Sequence, residues 1–243
     1  MSYYDCSSFE SFINDIFGFE SENIPRSNYT IKDFEDILNK YYDEGSHGQP
    51  HIIRVYNSCG HIISRLPKKE VLNIDIDVVK FSAILHDISR PDQSKNKNID
   101  HAIHGAERVR KMKFDKLTHS QIEHVADCIA THRYSGRVKP QTIEAMILSD
   151  ADRLDVVGAI GIVRAIQYAT EHDSPFYDPK LKPKKIYKGG ASSVINHLIE
   201  KTSKIDTDKF YTIPAKEMVL DNNKFVQEFI ERSINSFRTV KGF

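Results

Sequence analysis

Residues 78–91 read VVKFSAILHDISRP, and this stretch decides the fold. Val78, Val79, Phe81, Ala83, Ile84 and Leu85 put apolar groups on most sides of a helix, the pattern of a buried segment. The Ser-Arg-Pro breaker that follows leaves His86 and Asp87 at its C-terminal end. There the macrodipole is negative, so a buried carboxylate needs a compensating cation. Arg90 is one candidate partner; a metal ion shared with His86 is the other.

Working outward, the periodicity is helical almost throughout. A weak segment spans Phe9 to Phe19, and a capped one begins near Thr30, where Asp33 completes a capping-box start for the stripe Ile31, Phe34, Ile37, Leu38 and Tyr41. After the loop Asp43 to Pro50, His51 opens a core-facing helix through Ile52, Val55, Tyr56, Cys59, Ile62, Ile63 and Leu66 that stops before Pro67. A polar loop, Asp92 to Asn98, follows the 78–91 segment. Further helices are predicted at His101 to Met112, Ser120 to His132, Thr142 to Asp155, Val156 to Glu171, Ser192 to Lys201 and Pro214 to Phe237. No alternating strand pattern competes, so the chain reads as all-α.

Between two of these helices lies a long loop, His172 to Gly190, punctuated by Pro175, Pro179, Pro183 and Gly189-Gly190. It carries the dense basic cluster Lys180, Lys182, Lys184, Lys185 and Lys188, either a solvated surface or an anion-binding loop.

Across 243 residues, 34 Lys+Arg balance 34 Asp+Glu, which leaves no global field to favour nucleic acid or an anionic membrane. Three widely spaced cysteines, Cys6, Cys59 and Cys128, include no C-x-x-C pair, against both a disulfide framework and a structural zinc site. The start, MSYYDCSSFESF, lacks a basic or apolar leader, and no later segment approaches the roughly 20 apolar residues of a membrane span. These features predict a soluble cytoplasmic protein with no nucleic-acid and no membrane partner.

His51 and His86 both stand on helices with apolar faces, and a third helix holds SDADRLD at 149–155. Imidazoles and carboxylates converging from several helices suit a borderline divalent ion such as Mn²⁺, Fe²⁺, Co²⁺, Ni²⁺ or Zn²⁺, with positions left open for water and substrate. Asp150 and Asp152 share an apolar face equally well, so periodicity leaves both open as the third helix's ligand.

The ordered pieces His51-Ile-Ile-Arg54-Val55, Leu85-His86-Asp87 and Ala151-Asp152-Arg153-Leu154 resemble the HD-domain metal-dependent phosphohydrolase superfamily over about residues 47–200. The resemblance is nearest to a bacterial subgroup of nucleotide pyrophosphohydrolases, because Asp150-Ala-Asp-Arg-Leu-Asp155 runs on into Gly158-Ala-Ile-Gly161-Ile-Val-Arg164, with Ile195-Asn-His197 downstream. It implies an HD-domain helical bundle: residues 1–28 as an extension without counterpart, and 29–243 as a single all-helical domain whose core spans about 47–172.

It further implies one divalent ion, Mn²⁺ first, with Mg²⁺, Co²⁺, Ni²⁺, Fe²⁺ or Zn²⁺ as alternatives. The implied ligands are His51, His86, Asp87 and Asp152, with Asp87 and His86 also catalytic; Asp150 and Asp155 would orient neighbours or cap Arg153. The implied partner is a small phosphorylated molecule, a nucleotide, and the implied reaction converts a nucleoside triphosphate to monophosphate and pyrophosphate.

His101 and His132 match the second-ion positions of two-metal members such as the HD-GYP cyclic dinucleotide phosphodiesterases. The nearest subgroup favours another use, contact with substrate phosphates. Arg90, Arg133, Arg153, Arg164 and Lys185 are further phosphate-binding candidates. The alternative functions are a nucleotide or sugar-phosphate monoesterase, a two-metal phosphodiesterase or oxygenase, and a non-catalytic nucleotide-sensing module. The chain is expected as monomer or homodimer.

Overall fold

The computed structural model describes residues 19, 23–43, 47–133, 138–187 and 190–239. The segment expected at Phe9 to Phe19 lies outside them except for Phe19 itself, as do Cys6, Lys188 and Gly189. Among the described residues there is no strand, and the chain is all-α. No described helix is long and apolar enough to cross a membrane. The chain divides into two compact units, Met1–Asp152 and Arg153–Phe243.

In the first unit the cap at Thr30 forms as the sequence predicts. The Asp33 carboxylate accepts from the Thr30 backbone N–H at 2.6 Å and from its hydroxyl at 2.8 Å, opening a single 3₁₀ turn, Ile31–Phe34, that runs into α1 (Glu35–Tyr41). Helices α2 (Gln49–Ser64) and α4 (Ile76–Leu85) pack together, and α4 also packs on α7 (His119–Thr131), which forms a hairpin with α6 (His101–Arg110). Ile52, Val55, Cys59, Ile62 and Ile63 of α2 face this core. Every residue of α4 from Val78 to Leu85 is buried, as its all-round apolar pattern requires, and truncating Ile84 or Leu85 to Ala would cost about 2–5 kcal/mol.

The N-terminus of α4 is tied down by polar groups. Asp75 caps it by accepting from the Val78 N–H at 3.1 Å and also accepts from Gln121 of α7 at 3.0 Å. Glu144, on α8 (Ile143–Leu154), accepts from the Asp75 N–H at 3.0 Å.

Two short helices fall where none was expected: α3 (Lys68–Val71) and α5 (Arg90–Lys95). The second corrects the reading of Asp92 to Asn98 as loop throughout. Pro91, a breaker by its sequence context, lies in the first turn of α5, where its missing N–H costs nothing and its fixed φ suits the helix.

The second unit is built from α9 (Gly158–Glu171), α10 (Val194–Glu200) and α11 (Ile213–Thr239), with single 3₁₀ turns at Thr202–Lys204 and Thr207–Lys209. Its core gathers Ile162, Ala165 and Ala169 with Val194, Ile195, Leu198, Val226 and Ile230. The described part of the proline-punctuated loop has no helix, and α10 pins it: Asn196 donates to the Leu181 carbonyl at 3.0 Å, and Glu200 accepts from the Lys184 N–H at 2.8 Å.

Candidate metal centre

Seven titratable side chains of the first unit converge because each stands at a helix end. His47 precedes α2, and His51 occupies its first turn, with Gly48 as N-cap and Pro50 just inside. His86 caps the C-terminus of α4, and the turn that follows presents Asp87. His101 is the first residue of α6, His132 follows the last residue of α7, and Asp152 lies in the last turn of α8. The turn bearing Asp87 is held by donors to its carbonyls: the Tyr42 hydroxyl to Ile84 at 2.7 Å and Arg108 to Ile88 at 3.2 Å. Both supply carbonyls that a helix end leaves without partners.

The proton positions follow from the partners. His86 Nδ1 lies 2.8 Å from the Ala83 carbonyl and His132 Nδ1 lies 2.6 Å from the Ile129 carbonyl. A carbonyl only accepts, so each Nδ1 carries the proton and each neutral ring turns an Nε2 lone pair inward. His86 Nε2 is 3.2 Å from His51 Nε2 and 3.9 Å from Asp152 Oδ1, which is itself 3.5 Å from His51 Nε2. Asp87 Oδ2 stands 3.7 Å from His51 Nε2, 3.8 Å from His86 Nε2 and 2.9 Å from His47 Nδ1. Its Oδ1 faces the other histidines, 3.2 Å from His101 Nε2 and 3.9 Å from His132 Nε2, and accepts from Arg90 Nε at 3.1 Å.

Burial alone would raise the pKa of Asp87, which is 1% exposed. His86, the neighbouring rings of His101 and His47, and the Arg90 guanidinium outweigh it and hold the carboxyl well below its usual range. Asp152 is lowered in the same way: burial opposes ionisation, and His86, His51 and His132 overcome it. Burial, helped by His86, pushes His132 down to about 4, and burial also lowers His101. Both rings are therefore biased towards the neutral, lone-pair-bearing form.

The clusters His47–His51–Asp87, His51–His86–Asp152 and Asp87–His101–His132 each bring their donor atoms within 4.8 Å of one another. Mixed imidazole and carboxylate donors without thiolate fit a borderline divalent ion, which the inward lone pairs of His86 and His132 could ligate.

Of the residues singled out in the sequence, the structure thus brings together His51, His86, Asp87 and Asp152, with His101 and His132 on the Oδ1 side of Asp87. Arg90 pairs with Asp87, so the ion-pair reading and the metal reading of that aspartate coexist. Arg133 pairs with Asp100, the α6 N-cap, at 2.6 Å. Arg153, Arg164 and Lys185 belong to the second unit. There Arg164 pairs with Asp155, the Arg153 guanidinium lies 5.5 Å from the Phe210 ring and 5.9 Å from the Tyr211 ring, and the Lys185 carbonyl accepts from Lys204 at 2.9 Å. His47 was missed. Its one signal was the four-residue spacing to His51, but it lies before α2 in a stretch without apolar periodicity.

Residues 50–157 match the HD domain family. A protein of Acanthamoeba polyphaga mimivirus is 26% identical over 89% of this chain and 98% of its own length. Among solved structures, an HD-superfamily hydrolase from an uncultured Thermotogales bacterium is 26% identical with a TM-score of 0.56, covering 86% of this chain and 99% of its own. Bacillus subtilis YpgQ, solved in complex with ADP, shares the fold at 22% identity and a TM-score of 0.57, over 85% of this chain and 95% of its own.

Proposed function

We propose that this chain, whose residues 50–157 match the HD domain family, is a metal-dependent phosphohydrolase that converts nucleoside triphosphates to the monophosphate and pyrophosphate at a divalent ion held by His51, His86, Asp87 and Asp152. One observation carries the ligand assignment: the Nε2 atoms of His51 and His86 meet at 3.2 Å beside two carboxylates that their neighbours keep ionised against the cost of burial. Mn²⁺ is the first ion to test, since the donor set is borderline and thiolate-free.

A divalent ion bound there supplies Lewis acidity, lowering the pKa of a water and polarising a phosphoryl group. The protein's own groups do the rest. Asp87, ionised at neutral pH, turns Oδ2 towards His51 and His86 and keeps Oδ1 for Arg90, so it can orient a nucleophilic water without losing its place. The cationic side chains of Arg90 and Arg133 offer donors that offset charge on phosphate oxygens as the leaving group departs. A nucleotide substrate is supported by the ADP bound to the fold neighbour YpgQ.

A two-ion reading is favoured by one observation, the Asp87–His101–His132 cluster. Two Mn²⁺ per chain would select it, and one would retain the single-ion site. The reaction is tested by incubating the protein with Mn²⁺ and a panel of ribo- and deoxyribonucleoside triphosphates, assaying pyrophosphate and phosphate separately. Pyrophosphate release abolished by Asp87→Ala is the expected result. Phosphate alone would select the monoesterase, and no turnover across the panel would overturn the triphosphate assignment.

A further inference from the structure

Gln93, on the short helix α5, decides which nitrogen of His101 carries a proton. Its Oε1 lies 3.2 Å from Arg90 Nη1 and 2.8 Å from His101 Nδ1. A guanidinium only donates, so the amide atom facing Arg90 is the oxygen and not the NH₂ group. The same oxygen can only accept from His101, which places a proton on Nδ1 and leaves Nε2 of the neutral ring with a lone pair. That Nε2 is buried and points at Asp87 Oδ1, the carboxylate oxygen that Arg90 Nε also approaches at 3.1 Å. One amide oxygen therefore ties together two side chains that meet on one carboxylate oxygen.

We propose that Gln93 is a positioning residue that locks His101 in the Nδ1–H tautomer and Arg90 against Asp87, so that His101 Nε2 serves as an acceptor towards a cation or a water. The inference rests on the metal-centre reading above and changes one role within it. With Nδ1 engaged, neutral His101 has no N–H left for a phosphate oxygen, so it acts on the ion or water side of the reaction. Ring nitrogens aimed at a metal are commonly held by such an outer partner, and losing it typically costs about 10–100-fold in affinity or activity.

The test is ¹⁵N NMR of the imidazole nitrogens in the full-length, metal-free protein, followed by titration with Mn²⁺ alone, for the wild type, Gln93→Leu and Gln93→Glu. The wild type should show His101 protonated at Nδ1. Gln93→Leu should move the proton towards Nε2, where Asp87 accepts it, and weaken Mn²⁺ binding about 10–100-fold. Gln93→Glu keeps an acceptor at the same reach and should retain the Nδ1–H form. If Gln93→Leu fails to fold, the wild-type tautomer and Gln93→Glu still decide the matter. An Nε2–H His101 in the wild type overturns the proposal, as does a Gln93→Leu protein that keeps the Nδ1–H form. Because the readout contains no nucleotide, a failure to hydrolyse triphosphates would leave this inference standing.

Discussion

The Nε2 atoms of His51 and His86 lie 3.2 Å apart in a buried setting, although His86 has already placed its proton on the far side of its ring, against the Ala83 carbonyl. Helices α2 and α4, packed through their apolar faces, hold the two rings in this approach. In the metal-free protein His51 Nε2–H can donate to the His86 Nε2 lone pair, and a divalent cation flanked by ionised Asp87 and Asp152 would replace that shared proton.

Asp152 and Asp150 should separate in function. Asp152 Oδ1 stands 3.5 Å from His51, whereas Asp150 is fully buried and joins none of the three donor clusters. Asp152→Asn is predicted to weaken Mn²⁺ binding by more than about 100-fold, beyond the cost of losing an outer contact. Asp150→Asn should lower the melting temperature while leaving Mn²⁺ affinity within about threefold, a smaller change than an outer contact brings. Calorimetric titration and thermal melts read the two effects separately.

The metal-free protein should lose stability in mild acid. His132 titrates near 4 in the folded state against 6.5 ordinarily, so on acidification the unfolded chain takes up its proton first. Its contribution is complete above about pH 6.5, falls as pH drops towards 4, and amounts to about 3 kcal/mol. Denaturant melts of metal-free protein at pH 7.5 and 4.5 check the sign; equal stabilities at the two values would contradict it.

Gly158 is required by the backbone of the second unit. It adopts φ +62°, and a Cβ placed there would meet Asn222 Oδ1 at 2.2 Å. Gly158→Ala is predicted to destabilise that unit by about 1–3 kcal/mol, measurable by urea melts, with Mn²⁺ binding to the first unit retained.

The buried thiols should be inert. Burial raises Cys128 to about 12 and pushes Cys59 well above its ordinary value. Iodoacetamide at pH 8 should leave both unmodified in the folded protein and alkylate both in urea, as mass spectrometry of the peptides would show.

The apolar run Val78 to Leu85 with its terminal His-Asp pair was readable because all-round hydrophobicity and a following proline are local signals. The capping box at Thr30 was local too. His47 was not readable, because its role comes from a turn that folds it back onto Asp87, 40 positions later in the chain. Helix α5 was hidden for a related reason: a six-residue helix offers too little periodicity to outweigh Pro91 read as a stop. Asp150 and Asp152 could not be ranked by spacing, since each shares a face with apolar neighbours. The tertiary approach of α8 to His51 brings Asp152 to the cluster, and that approach is set by packing.

The most direct test of the metal centre is an anomalous difference map from crystals of this protein grown with Mn²⁺ and measured on both sides of the manganese edge. The account predicts a peak about 2.0–2.4 Å from His51 Nε2, His86 Nε2 and carboxylate oxygens of Asp87 and Asp152. Absence of a peak there at saturating Mn²⁺, or a peak held by other residues alone, would contradict it.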